Sequence, residues 1–255
     1  MSQLASLDME LLRKQQGEKV DRCRVCLHRI ECKYTMKNTK GDELVYKLCQ
    51  CGTVQHDEPI DKTKFNEEYL KNLRDTKYFL KRIDYARRIY MPVIEDATYG
   101  RESLDIGFGF EENITDMRKR GWLADGIDLI PNSLTTGDFE TSEFEPNMLW
   151  DLVIMHHVLA SFDDPIKALR KAVSILKPGG LLFLMAPDTS LILRTTYAEF
   201  GHWAKENRTM LSLNRTILEC VRAGMEETPL VALSNQSKRF LYFNDYHLIM
   251  KKGLS

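Results

Sequence analysis

The sequence predicts an α/β fold in which a mostly parallel sheet carries helices on both faces, preceded by a small cysteine-rich module. Three observations predict it. Strand-like and helix-like segments alternate from residue 102 onwards. The turn "DIGFGF" joins the first of those strands to a helix, with glycines at positions 107 and 109. Five of the six cysteines fall between positions 23 and 51.

Whole-chain properties narrow the function classes. The chain has 255 residues, 43 % of them hydrophobic, enough for one sizeable domain and an appendage. It contains no run of about 18 apolar residues, and its first segment has no apolar signal core, so a cytoplasmic protein without a membrane partner is expected. The formal net charge is -1, but residues 13–90 carry +7 and residues 91–255 carry -6. That balance argues against a globally basic nucleic-acid binder and leaves open a basic front that meets phosphates.

The front module is expected over residues 20–60. Its cysteines read "CRVC", then Cys32, then "LCQCG". Paired cysteines about 15 to 25 residues apart suit a zinc ribbon, in which each tight knuckle supplies half of a tetrahedral thiolate site. Cys23, Cys26, Cys49 and Cys51 are the expected ligands of one structural zinc. The second pair is C-x-C where C-x-x-C is usual, so Cys32, His28 and His56 stand as nearby substitutes. Residues 61–98 read as a helical connector: Phe65, Tyr69, Leu73, Phe79, Leu80, Ile83 and Ile89 recur at helical spacing, with an end expected near Pro92.

The main domain is expected over residues 99–255. "ESLDIG" is a strand, "NITDMRKRG" a helix closed by Gly121, and "WLADGIDL" a second strand. "LWDLVIMHH" is a buried strand, "DDPIKALRKAVSILKPGG" a helix opened by Pro165 and stopped by Pro-Gly-Gly, and "LLFLMAP" another strand. "LNRTILECVRAGMEE" predicts a helix ending at Gly224, and "TPLVALS" and "RFLYFNDYHLIMKK" predict two final strands. Such alternation puts the ligand at the carboxyl ends of the strands.

The glycine turn suits a nucleotide, yet Glu111 and Glu112 occupy the first helical turn, where carboxylates repel a pyrophosphate. A nucleoside without phosphates removes the conflict. S-adenosylmethionine is one, with a sulfonium and an ammonium set against a single carboxylate. Asp128 follows Gly109 by 19 positions and is placed to accept hydrogen bonds from ribose hydroxyls.

With "LDIGFG", "GIDL", "DLVIMHHVL" and "DDPIKALRKAVSILKPGGLLFLMAPD" in this order, residues 103–188 resemble a class I S-adenosylmethionine-dependent methyltransferase. The cysteine-paired front followed by "FNEEYL" resembles the zinc-ribbon-bearing subgroup. The resemblance implies a Rossmann-like domain with a seven-stranded, mostly parallel sheet and an antiparallel edge strand. It implies Asp105, Gly107 and Gly109 at the methionine end, and Asp128 with the adjoining Leu129 at the ribose. Asp138 and Phe139 would meet the adenine, and His156 and His157 would border the methyl group.

The chain also departs from the pattern. Glu111 replaces a third glycine, and "HVLAS" stands where H-V-L-E-H is frequent, so Ala160 and Ser161 remove a carboxylate and an imidazole. His157 is then the first candidate for a general base, and His202 in "EFGHWAKENRTM" the second. The function implied is methyl transfer from S-adenosylmethionine to a small polar metabolite, a sugar or related hydroxylated compound. Two alternatives are nucleic-acid methylation through the basic front and a non-catalytic cofactor-binding interaction module.

Overall fold

The computed structural model describes residues 21–30, 32–37, 43–75, 77–130, 135–143, 148–191, 207–234 and 245–254. His202 lies outside them, and so do the side chains of Leu73, Phe79, Leu80 and Ile83.

Sixteen helices and strands occur among the described residues. The front holds β1 (Cys32–Lys37), β2 (Glu43–Leu48) and β3 (Val54–Gln55). Two helices follow, α1 (Glu67–Asp75) and α2 (Lys77–Ala97). The chain continues as β4 (Glu102–Ile106), α3 (Glu111–Lys119), β5 (Leu123–Asp128), β6 (Thr135–Thr136), β7 (Trp150–His156), α4 (Pro165–Ser174) and β8 (Leu176–Pro187). It closes with β9 (Thr209–Met210), α5 (Leu213–Arg222), β10 (Val231–Ser234) and β11 (Asp245–Lys251).

Seven strands form one sheet in the order β10-β11-β8-β7-β4-β5-β6. Strands β6, β5, β4, β7 and β8 run parallel, while β11 and β10 join antiparallel at one edge. Every residue of β7 is buried, which explains why it reads as a continuous apolar run without alternation: helices cover both faces. On one face α4 and α5 bring Leu169, Val173 and Cys220 against Leu104, Val153 and Leu184. On the other, Met91, Ile94, Ile114 and Met117 pack on Leu152, Ile154 and Phe183.

Local chemistry sets the helix ends. The Asp164 carboxylate caps α4 by accepting from Ile166 N and Lys167 N, with Pro165 in the first turn where its missing N–H costs nothing. Ser212 caps α5. Helix α3 has Phe110 at its N-cap and no side-chain cap, and Glu111 with Glu112 complement its dipole. Two boundaries differ from expectation. Helix α2 continues through Pro92 to Ala97, because Pro92 is on the exposed side while Tyr90, Met91 and Ile94 bury the opposite face. The Pro-Gly-Gly stop of α4 lies inside β8, since the helix ends at Ser174 and pairing with β7 begins at Leu176.

The strand order reverses between β4 and β7, so a crevice opens outside their carboxyl ends. A second sheet, β1-β2-β3-β9, belongs to the front except for its last strand. Val54 pairs with Met210 and Gln55 with Thr209, and Leu44, Tyr46, Val54, Ala160 and Met210 share one apolar cluster.

Candidate active site

The crevice at the strand reversal is a single cleft. Asp105, Gly107, Gly109, Asp128, Leu129, Asp138, Phe139, His156 and His157 all line it. Strand β4 delivers Asp105 and runs into the turn at Gly107 and Gly109, whose φ angles of 68° and 65° are left-handed and favour glycine. At Gly107 a Cβ would lie 2.5 Å from a Val158 methyl, so the turn also needs glycine for space. Strand β5 ends at Asp128, whose carboxylate accepts from Gly109 N and Ile130 N, each at 2.9 Å. The acid thereby fixes the glycine turn as well as facing the cleft. Burial raises its pKa, and these backbone amides oppose the rise.

Asp105 is paired where the sequence shows no partner. Arg87, on α2, donates to Asp105 Oδ2 at 3.1 Å and to Asn113 O at 2.9 Å, with both side chains 4 % exposed. Burial pushes the Asp105 carboxyl up to about 7, and Arg87 opposes that rise. The other oxygen, Oδ1, is buried without a hydrogen-bond partner among the described residues.

The connector roofs the cleft. Phe65, Tyr69 and Leu70 line it, and Phe65 meets Tyr69 edge-on with centroids 5.3 Å apart. Lys62 anchors this segment: its Nζ reaches Asp138 at 2.7 Å, Glu140 at 3.0 Å and Asp163 at 3.2 Å. Burial pulls the Lys62 pKa down, and the three carboxylates outweigh it and raise the net value. Phe139 is fixed by Lys171, which donates to its carbonyl and stands over its ring at 4.8 Å from the centroid. None of Lys62, Arg87 or the roof carries a local motif; the amphipathic connector is their one sequence trace.

At the opposite wall, His156 is buried edge-on against Phe183 at 4.6 Å, and His157 adopts φ 56°, a left-handed value uncommon outside glycine. The "HVLAS" segment forms a short 3-10 turn, Leu159–Ser161, with Ala160 buried against the small sheet and Ser161 facing the cleft.

Residues 74–220 match the family model described as a methyltransferase domain. The chain belongs to this methyltransferase family. It is a class I S-adenosylmethionine-dependent methyltransferase. No curated protein matches the chain. Among solved structures, it resembles a chain of the complex between the Haloferax volcanii Trm112 methyltransferase activator and a protein described as a methyltransferase. The identity is 14 %, with 77 % of this chain and 100 % of that one covered and a TM-score of 0.54. A protein described as a sarcosine dimethylglycine methyltransferase from Galdieria sulphuraria aligns at 15 % identity over 68 % of this chain and 86 % of that one, with a TM-score of 0.51. Magnesium protoporphyrin IX methyltransferase from Synechocystis PCC 6803, with bound SAH, aligns at 13 % identity over 68 % and 83 %, with a TM-score of 0.50. These likenesses concern the fold.

The methyltransferase cleft suits its cofactor chemically. Three carboxylates, Asp105, Asp128 and Asp138, face one lysine that already meets acids, and the orphaned Asp105 oxygen suits a cationic group. Away from the cleft, the sulfurs of Cys23, Cys26, Cys49 and Cys51 all lie within 4.8 Å of one another, with Cys23–Cys51 at 3.7 Å and Cys26–Cys49 at 3.4 Å. Four thiolates so gathered fit a tetrahedral zinc-binding module. Contact with Cys51 and burial push the Cys23 thiol up to about 12, whereas Cys51 is lowered by the same contact. Cys32 is exposed on β1, His28 is exposed, and His56 is buried edge-on to Tyr46; all three are outside this cluster.

Proposed function

We propose that this methyltransferase modifies a small polar metabolite, a sugar or related hydroxylated compound, with His157 as the base. The observation that carries the reading is the charge of the cleft: its lysine is committed to carboxylates, so a polyanion meets net repulsion there. Among the described residues, several cations of the basic front are already paired. Lys47 pairs with Asp21 and Asp57, Lys33 with Asp21, and Arg87 is buried on Asp105. When bound, S-adenosylmethionine supplies an electrophilic methyl group, whose S–C bonding pair stays on sulfur as the new bond to the acceptor forms.

Within that frame each residue has a task. Asp105, Gly107 and Gly109 meet the methionine end, Asp128 and Leu129 the ribose, Asp138 and Phe139 the adenine, and His156 the methyl-side wall. His157 takes the acceptor's proton. Cys23, Cys26, Cys49 and Cys51 hold one structural zinc in a module over residues 20–60, joined by the connector at 61–98 to the catalytic domain at 99–255.

Incubating the protein with methyl-labelled cofactor and, separately, a small-metabolite extract and a nucleic-acid extract tests the substrate class. Mass spectrometry should find label in a low-mass hydroxylated product. Label confined to nucleic acid overturns the reading in favour of the alternative.

A further inference from the structure

We propose that Asp245 is the positioning residue for the His157 imidazole, an ion-pair partner behind the ring that stabilises it once it has taken the acceptor's proton. This rests on the reading of His157 as the base. Asp245 opens β11, opposite Pro187 of β8, and lies 88 positions from His157 in sequence. Its side chain is 2 % exposed against 10 % for His157, and its Oδ2 stands 3.4 Å from His157 Nε2. The imidazole lines the cleft and the carboxylate does not, so the ring stands between them.

The backbone supports the same arrangement. His157 is turned into the left-handed region at the very end of β7, while its N–H still donates to Met185 O at 2.8 Å. A non-glycine residue held there costs of order 1 to 3 kcal/mol and persists where surrounding structure imposes it, commonly at working sites. A side chain leaving β7 with ordinary geometry would follow the strand alternation. The left-handed turn lets His157 face the cleft and β11 together.

Other charged groups on the cleft wall have different partners. Asp105 meets Arg87, Asp138 meets Lys62, and Asp128 meets two backbone amides. His156 packs on Phe183. Among the described residues, Asp245 is the carboxylate that stands 3.4 Å from this ring. At 3.4 Å and without a hydrogen bond to Nε2, the carboxylate acts on the ring through its charge, which favours the protonated imidazole. It thereby stabilises the imidazolium that forms, without being protonated itself. Burying a carboxylate is costly, and a partner that becomes cationic during turnover offsets that cost.

The full-length protein saturated with SAH is the sample for the test. The His157 ring is titrated by NMR in wild type and Asp245→Asn, with SAH affinity measured by calorimetry. At least a tenfold loss of proton affinity at His157, with SAH affinity within twofold of wild type, is the expected result. Asp245→Glu should restore most of it. An unmoved titration in an Asp245→Asn protein that still binds SAH overturns the role of Asp245. Should Asp245→Asn fail to bind SAH, Asp245→Ser takes its place under the same criteria; failure of both makes Asp245 a folding residue and also overturns the proposal. Methyl transfer into the small-metabolite extract by His157→Ala tests the underlying reading separately. Full transfer removes the base and the proposal with it, whereas lost transfer beside an unmoved titration removes Asp245 alone.

Discussion

Asp128 accepts from Gly109 N and Ile130 N at 2.9 Å each, so its charge is held in place before any ligand arrives. Charge-assisted hydrogen bonds to a ribose would add to that arrangement. Asp128→Ala should therefore lower SAH affinity by about 1 to 3 kcal/mol, and calorimetry should detect no NAD binding in wild type. Unchanged SAH affinity in the variant would remove the ribose role. Asp105 is the same residue type under different constraints, fully enclosed and facing Arg87. Burial raises it to about 7 from an ordinary 3.8, with Arg87 pulling the other way. A carboxyl that binds its proton more tightly when folded stabilises the fold at low pH, and that contribution is lost as pH rises from about 4 to about 7. Denaturant unfolding should show wild type losing stability relative to Asp105→Asn across that window; a constant difference would mean that Asp105 titrates normally. Asp128 was legible from the spacing of strand, glycines and acid, and Asp105 only through the family resemblance. Arg87, Lys62 and Asp245 were not, because each meets its partner through tertiary contact, with no pattern in neighbouring residues to announce it.

Among the elements, the second cysteine knuckle is the most tightly determined. Gly52 has φ 83°, and a Cβ there would fall 2.3 Å from Ser212 Oγ, in the N-cap of α5. Its carbonyl accepts from Ser212 N at 3.1 Å and also from the Thr189 hydroxyl. Gly52→Ala should cost about 2 to 4 kcal/mol, from left-handed strain together with overpacking, and thermal unfolding reads it directly. For the metal, elemental analysis should find near-stoichiometric zinc in wild type and Cys32→Ser, and loss in Cys49→Ser. Retention in Cys49→Ser with loss in Cys32→Ser would require a different ligand set. The alternating strands and helices were legible because apolar runs, a proline-opened helix and glycine ends are local signals. Two-residue strands such as β3 and β9 give no periodicity, and they form through pairing, β3 between β2 and β9 and β9 on β3. Pro92 misled for a related reason: a proline marks a helix end only where its missing hydrogen bond is not tolerated, and exposure of that side is invisible in sequence.

At the scale of the whole molecule, charge separates the front from the catalytic part, +7 over residues 13–90 against -6 over 91–255. Among the described residues Lys33, Lys47, Lys62 and Arg87 meet acids, and the acidic catalytic part repels a polyanion at the cleft. Binding to a random duplex or single strand should consequently be weak, with a shallow dependence on salt in a fluorescence titration. Tight binding with a steep slope would restore the nucleic-acid reading. No described helix is long and apolar enough to cross a membrane. The small sheet spans the two parts, since β3 in the front pairs with β9, and Val54 meets Met210 across more than 150 residues of chain. During synthesis at about 5 to 20 residues per second, that interval lasts roughly 8 to 30 s. The knuckles emerge early and wait through it with one strand edge unpaired, so the N-terminal segment is exposed to mispairing until the far end of the chain has been made.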